Sequence, residues 1–459
     1  MNDNVNLNQL QEEDIELINA YMYENMITFI DDYPYDISFI NFENIFYENI
    51  FEMTKIFIES YFKFIFEYDD IDYELFFDKQ WTIVCKIFYK NVIPRRSYKD
   101  TFIRNTPNKA KIEEKIKILR NIPQPEQRTD EWYKFRYNMI TASNAYKCFE
   151  NDASRNSIIY EKCKPFVEKL ESTSVTNLNT AFHWGQKYEP LSVMIYESKF
   201  NTIIEDFGCI PHQQYDFLAA SPDGINVDKN NNRYGRMLEI KNIVNRDIID
   251  EPKKEYWIQM QLQMEVCNLN ECDFLETRFK EYESYEEFKN DGSFTHTEQN
   301  MQKGIMILFI KDNNPIYEYA PLNISERNYN KWEKETMEKH ENDMYVSVIY
   351  WYLDEFSCKL VLRNKKWFID TIYAIHDTWN TIKKERIEGY EHRAPQKRVK
   401  KEQNIIQGCL INIDGSINNA LENIDTLDNY VQENINDKLK QNSLKIHTES
   451  FDETHADVI

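Results

Sequence analysis

Ser221-Pro222-Asp223-Gly224, followed after an Asn-rich interval by Leu238-Glu239-Ile240-Lys241, is the stretch on which the fold turns. A strand alternates its side chains, so Glu239 and Lys241 share one face while Leu238 and Ile240 turn to the core. The Pro-Asp-Gly turn ends the preceding strand and lets Asp223 approach the same point. Residues 228–235, rich in Asn, read as a hairpin connection between the two strands. Two carboxylates and one amine thereby converge from neighbouring strands. Such a trio suits phosphodiester hydrolysis. Magnesium takes a few carboxylates, a backbone carbonyl and retained waters, so Asp223, Glu239 and the carbonyl of Ile240 are candidate ligands for Mg2+ or Mn2+. Lys241 can position or deprotonate the attacking water, or balance charge on the pentacovalent state. The same spacing also describes an ordinary Glu–Lys pair of a sheet, and the flanks must decide between them.

Outward from this point the pattern is mixed α/β. Short strands are expected near 203–210, 216–221, 236–242, 273–279 and 305–310, with a helix over 253–268 between the third and fourth. Helices are expected at 156–170 and 181–200, and Thr129 or Asp130 can cap a further one through Lys134 and Tyr137. A mixed central sheet flanked by helices is thus predicted over 129–320. Before it, residues 1–105 form an acidic, aromatic region in which Phe42, Phe46, Ile50, Met53, Phe57, Tyr61 and Phe64 recur at helical spacing. That region reads as a packed helical extension, the alternative being a partner-binding or DNA-mimicking surface. Residues 106–128 are a basic connector containing Pro107, Pro123 and Pro125. After it, 321–400 is expected to be helical, with Trp332, Trp351, Trp367 and Trp379 as core anchors. The stretch 401–459 is an acidic tail, expected to be disordered in part.

The formal net charge of −23 sits badly with DNA binding, which Lys and Arg drive by displacing counterions. Its distribution matters more than its sum. Residues 1–90 carry about −14 and the tail beyond 402 about −7. Arg95, Arg96, Lys99, Arg104, Lys109, Lys111, Lys115, Lys117, Arg120, Arg128, Lys134 and Arg136 make the interval between them basic. A second cluster, Arg393, Lys397, Arg398, Lys400 and Lys401, reads as a DNA contact, a nuclear address or a solvated surface. The cysteines are scattered with no CxxC pair, which signals neither a zinc ribbon nor a cysteine-ligated cluster. No apolar run reaches membrane-spanning length, and the amino terminus is acidic and polar. A soluble intracellular protein is therefore expected.

Five short motifs in order carry a resemblance. They are Thr129-Asp130-Glu131-Trp132-Tyr133-Lys134-Phe135-Arg136 with Ile140-Thr141-Ala142-Ser143; Trp184-Gly185-Gln186-Lys187-Tyr188-Glu189-Pro190; Ser221 to Gly224; Glu239-Ile240-Lys241; and Tyr256-Trp257-Ile258-Gln259-Met260-Gln261. Over roughly 129–280 the chain resembles the lambda exonuclease/YqaJ viral recombinase family, whose core is of the PD-(D/E)XK, restriction-endonuclease-like type. The resemblance implies that Glu189 is a third acidic group near or on the metals. It implies that Arg136 and Ser143 hold a phosphate, the 5′ end in an exonuclease, and that Ser221 and Gln259 contact the phosphate beside the cut. Plainer readings stand beside each: Glu189 as a surface helix residue, Arg136 paired with Asp130 or Glu131, Ser221 as a turn residue, Gln259 as a solvated position. Gln259, Gln261 and Gln263 alternate, and Gln259 and Gln263 share a helical face. Trp132 reads as core and His183 as structural.

The expected function is a Mg2+-dependent DNA nuclease, a 5′-to-3′ exonuclease on double-stranded DNA in viral recombination or end processing. An endonuclease or nickase with the same core, and a non-catalytic DNA-binding recombination scaffold, are the alternatives. The resemblance implies duplex ends as substrate, a single-strand annealing protein as a candidate partner, a large DNA virus as source, and the host cytoplasm, viral factory or nucleus as location. It leaves oligomerisation open.

Overall fold

The computed structural model describes residues 10–95, 108–125, 129–166, 178 and 180–394, apart from 35, 40, 69, 70 and 250. Arg96, Lys99, Arg104 and Arg128 of the first basic stretch lie outside the described residues. So do Lys397, Arg398, Lys400, Lys401 and the acidic tail.

Four helices open the described chain: α1 (Glu12–Asp32), α2 (Phe42–Tyr61), α3 (Lys63–Tyr68) and α4 (Tyr73–Asn91). They pack on the spacing expected of them, with Phe42, Phe46, Ile50 and Ile58 of α2 buried against Ile18, Met22 and Met26 of α1 and Phe77 and Phe88 of α4. Met53, Tyr61 and Phe64 stand exposed instead, because a helix that packs on one side leaves part of an apolar stripe in water. Then come α5 (Lys109–Arg120), α6 (Asp130–Tyr137), β1 (Ile140–Thr141), α7 (Ala142–Ala145), α8 (Asp152–Cys163) and α9 (Ala181–Phe200). Asn108, Thr129, Asn151 and Thr180 cap α5, α6, α8 and α9, each side-chain oxygen accepting a backbone N–H of the first turn.

Short strands β2 (Ile204–Glu205), β3 (Ile210–Pro211), β4 (Leu218–Ala220) and β5 (Gly224–Asn226) precede β6 (Met237–Asn242). Helix α10 (Lys254–Val266) crosses to β7 (Glu271–Glu281), followed by α11 (Tyr285–Asn290), β8 (Lys303–Lys311), β9 (Asn314–Tyr319), α12 (Glu326–Lys339), β10 (Met344–Leu362) and α13 (Lys365–Glu388). The main sheet runs β2-β5-β6-β7-β10-β8-β9, and a small one runs β1-β4-β3. Within the main sheet β6 and β7 are parallel and the other neighbours antiparallel. The predicted mixed sheet flanked by helices is therefore present.

One expectation fails. Residues 321–400 are not helical throughout, because β10 is a 19-residue strand that lies between β7 and β8. It carries a run of β-branched and aromatic residues, Val346, Val348, Ile349, Tyr350 and Trp351, residue types that fit a pleated, half-buried surface. Trp351, 1% exposed, lies directly opposite Gly304 of β8, where a Cβ would come within 2.6 Å of the indole. Only glycine leaves room for that ring. Trp379 of α13 joins the central core beside α8 and α10, while Trp332 and Trp367 are partly buried at cluster edges. The connector is also built into the core: Ile116 and Leu119 of α5 are buried there. Its cations serve the fold, with Lys109 bonding the carbonyl of Lys229 at 2.7 Å, Lys115 that of Asn268 at 2.5 Å, and Arg120 the carboxylate of Glu205 at 2.6 Å.

All described cysteines are free. Among the described residues no helix is long and apolar enough to cross a membrane.

Candidate active site

The alternation of β6 holds as read. Leu238 and Ile240 pack with Tyr196 of α9 and Leu275 of β7 on one face, while Glu239 and Lys241 meet α10 on the other. The Glu239 carboxylate is 1% exposed. Its Oε1 accepts from the Lys241 amine and from Gln259 Nε2 at 2.7 Å, and its Oε2 from Gln263 Nε2, also at 2.7 Å. Gln263 Nε2 donates in addition to the carbonyl of Ser221 at 3.1 Å. Gln259 and Gln263 thus straddle one carboxylate from successive turns of α10. Gln261, on another side of the helix, bonds the carbonyl of Leu362 and the N–H of Asn364 instead. The three-way choice left by the sequence is resolved, and Gln263 is a site residue that it had not singled out.

Asp223 sits just before β5, and its Oδ2 accepts the N–H of Ile240 at 2.6 Å. In a β-strand the N–H and C=O of one residue point to the same side. The Ile240 carbonyl therefore faces Asp223, beyond Leu238, where β5 stops pairing with β6. Removal from bulk water pushes the Asp223 carboxyl well above the ordinary carboxylate range, and the charges of Glu239 and Glu189 push it further, against Lys241 and the Ile240 bond. Lys241 is desolvated, yet Glu239 and Asp223 hold its amine above the ordinary lysine value; the amine also lies 4.9 Å from the Tyr256 ring. Glu189 is exposed on α9 and lines, with Trp132, Pro190, Ser221, Pro222 and Asp223, a cleft of about 280 Å³.

On the other side of Ser221 stands Arg136. Its Nη1 donates to Ser221 Oγ at 3.1 Å, and its guanidinium lies 4.5 Å from the Trp132 ring. Neither Asp130 nor Glu131 pairs with it among the described residues. Trp132 is half-buried at the cleft wall rather than core. Ser143 is exposed and shares a 3.3 Å bond with the Thr141 hydroxyl, not with Arg136. Gln259 faces the Glu239 carboxylate, where the resemblance had implied a phosphate. His183 is buried, its Nε2 2.6 Å from the Tyr317 hydroxyl, which is a structural setting.

Residues 131–270 match the YqaJ-like viral recombinase domain. An uncharacterized protein of Acanthamoeba polyphaga mimivirus is 31% identical over 339 residues, 64% of this chain and 58% of that protein. The chain thus spans little more than half the length of that relative. Among solved structures, an alkaline exonuclease from Laribacter hongkongensis is 18% identical, covering 58% of this chain and 98% of that one at a TM-score of 0.34. A phage related exonuclease from Haemophilus somnus is 11% identical, covering 54% and 93% at 0.28.

The matched residues include Asp223, Glu239, Lys241, Glu189, Arg136, Ser143, Ser221 and Gln259. Their carboxylates are not preassembled: among the described residues no three His, Cys, Asp or Glu side chains are gathered to hold a metal. Two observations nevertheless fit a divalent cation. Burial first, then the charges of Glu239 and Glu189, push the Asp223 carboxyl up against the pull of Lys241, a setting that a bound cation would relieve. Gln263 Oε1 is buried beside them with no partner. Magnesium sites commonly use one or two carboxylates with waters and substrate phosphate rather than a full protein cage.

The raised Asp223 carboxyl, buried first and crowded second, gives a stability prediction. A carboxyl whose folded pKa is raised favours folding only while protonated; that advantage is lost as pH climbs from the unfolded value through the folded one. Asp223→Asn keeps an acceptor for the Ile240 N–H and removes the charge. In chelator it should therefore melt at a higher temperature than the wild type, by a margin that widens with pH across that interval. Thermal unfolding of both proteins at several pH values measures this, and equal midpoints at alkaline pH would contradict the crowded-carboxylate reading.

Proposed function

We propose that the chain is a divalent-metal-dependent DNA nuclease, acting as a 5′-to-3′ exonuclease on duplex ends in recombination or end processing. The observation that supports it most is the meeting of Asp223, just before β5, with Glu239 and Lys241 of β6, beside a cleft that Asp223, Glu189 and Ser221 line and from which Ser221 reaches Arg136. Asp223, Glu239 and the Ile240 carbonyl would hold Mg2+ or Mn2+, with Glu189 across the cleft. A bound ion there would supply a polarised phosphate and a more acidic water.

The chain's own residues supply the rest. Gln259 and Gln263 fix the Glu239 carboxylate in place, so it need not reorganise when substrate arrives. Lys241, held protonated by its acidic neighbours, acts as a fixed positive charge and proton donor toward the phosphate oxygens rather than as a base. Arg136 presents a planar fork that suits a terminal phosphate. A single-strand annealing protein is the partner that recombination chemistry implies.

Linear duplex with 5′-phosphate, linear duplex without it, and closed circles, each incubated with and without Mg2+, test the reading. Cutting should require the ion, favour phosphorylated ends and spare circles. Circles cut as readily as linear DNA would replace the exonuclease with an endonuclease on the same core.

A further inference from the structure

Arg136 lies in the last turn of α6, an eight-residue helix with no buried residue of its own. A helix that short cannot hold its final turn by packing, and its last carbonyls have no intrahelical partner. The N–H groups of Asn138 and Met139 reach those of Lys134, Phe135 and Arg136, and two cations from distant parts of the chain bond those of Arg136 and Tyr137. Lys162 of α8, 6% exposed, donates its amine to the Arg136 carbonyl at 2.7 Å. Arg386 of α13 donates Nη2 to the Tyr137 carbonyl at 2.9 Å and Nε to the Lys162 carbonyl at 2.9 Å. The Arg386 guanidinium also lies 4.1 Å from the Tyr137 ring and 5.2 Å from that of Trp379.

Among the described residues neither cation has a carboxylate within ion-pair distance; the nearby Glu161 pairs with Lys147 at 3.6 Å. Surface neutralisation does not explain them. Burial pushes the Lys162 amine down to about 8, Glu161 opposing and the charges of Arg136 and Arg386 adding to the fall. A cation is costly in that setting, and the group it satisfies is the carbonyl of the residue that reaches Ser221. Arg386 lies outside the matched domain, so α13 ties the carboxyl-terminal part of the fold to the cleft.

We propose that Lys162 and Arg386 are positioning residues for Arg136, clamping the end of α6 so that its guanidinium is held at Ser221 to receive the terminal phosphate of the substrate strand. The inference rests on the reading of Arg136 as the end-phosphate group given above. The clamp touches neither the phosphate nor the reacting atoms. Its loss should thus appear as weaker discrimination between ends, not as slower chemistry.

The experiment compares kcat and KM on duplexes with 5′-phosphate and 5′-hydroxyl ends for the full chain and for Lys162→Met, Arg386→Met, Arg136→Ala and Arg136→Ala/Lys162→Met. Lys162→Met should raise KM on phosphorylated ends about tenfold with kcat little changed, as expected when uniform binding is lost. Rates on hydroxyl ends should stay within about twofold. Arg136→Ala should erase the preference, and adding Lys162→Met to it should cost nothing more on phosphorylated ends, because the two act through one guanidinium. Should Lys162→Met fail to fold, Arg386→Met, a half-buried site, poses the same question. A clamp variant that keeps the full preference while Arg136→Ala loses it overturns the positioning role alone. Additive losses in the double variant also overturn it. A preference that survives Arg136→Ala, or is absent from the wild type, overturns the end-phosphate reading and the clamp with it.

Discussion

Replacing Lys241 with alanine should lower kcat on linear duplex by roughly a hundred- to a thousandfold, the loss seen when one preorganised donor to a developing negative charge is removed. DNA affinity in chelator should change little, because one buried amine contributes little to a grip made over many phosphates. Two effects combine at this residue. The amine is the cation that Glu239 and Asp223 hold in the charged form, so its removal deletes the positive charge beside the two carboxylates. The same amine opposes the upward push on the Asp223 carboxyl. Without it Asp223 needs a higher pH to ionise, and the acid limb of the kcat/KM profile should move to higher pH in the variant. Activity within tenfold of the wild type would place the chemistry elsewhere in the cleft. An unmoved acid limb would separate Lys241 from Asp223.

Much of this site was legible because β6 obeys a rule with no tertiary input. A period of two puts Glu239 and Lys241 together and sends Leu238 and Ile240 to the core, wherever the strand lies in its sheet. The range of α9 was legible too, since Thr180 supplies a cap and Asn201, at φ 47°, a left-handed stop. The strand β10 was not. It lies between two helices, α12 with Trp332 and α13 with Trp367, and a 19-residue apolar-aromatic segment exceeds the usual strand length. What makes it a strand is β7 on one side and β8 on the other, pairings that no local pattern contains. The β-branched and aromatic run from Val346 to Leu353 is the local signal that favours a strand. Lys162 and Arg386 escaped notice for a related reason. They meet Arg136 and Tyr137 across 26 and 249 residues of sequence, and a buried lysine serving a carbonyl has no motif.

Asp273→Ala should destabilise the fold by about 3–5 kcal/mol, the penalty for removing one partner from a buried ion pair. Asp273 is 1% exposed on β7 and accepts from Arg236 Nη1 at 3.2 Å, from the Tyr196 hydroxyl at 2.6 Å and from Arg233. Arg236, 4% exposed, retains Glu271 at 2.8 Å when Asp273 is lost, but Arg233 and the Tyr196 hydroxyl then lose the carboxylate that both address. The site feels this directly. Asp273 is in register with Leu238, one residue before Glu239, and Tyr196 packs on Leu238 and Ile240. The ion cluster therefore secures the edge of β6 from which the carboxylate and amine project. Chemical denaturation gives the stability change, and activity at a temperature where the variant remains folded gives its effect on the cleft. Asp273→Asn, which keeps acceptors without the charge, should recover part of the loss. Equal stability of all three proteins would mean that the parallel β6–β7 pairing and the apolar contacts of α9 hold β6 without the buried charges.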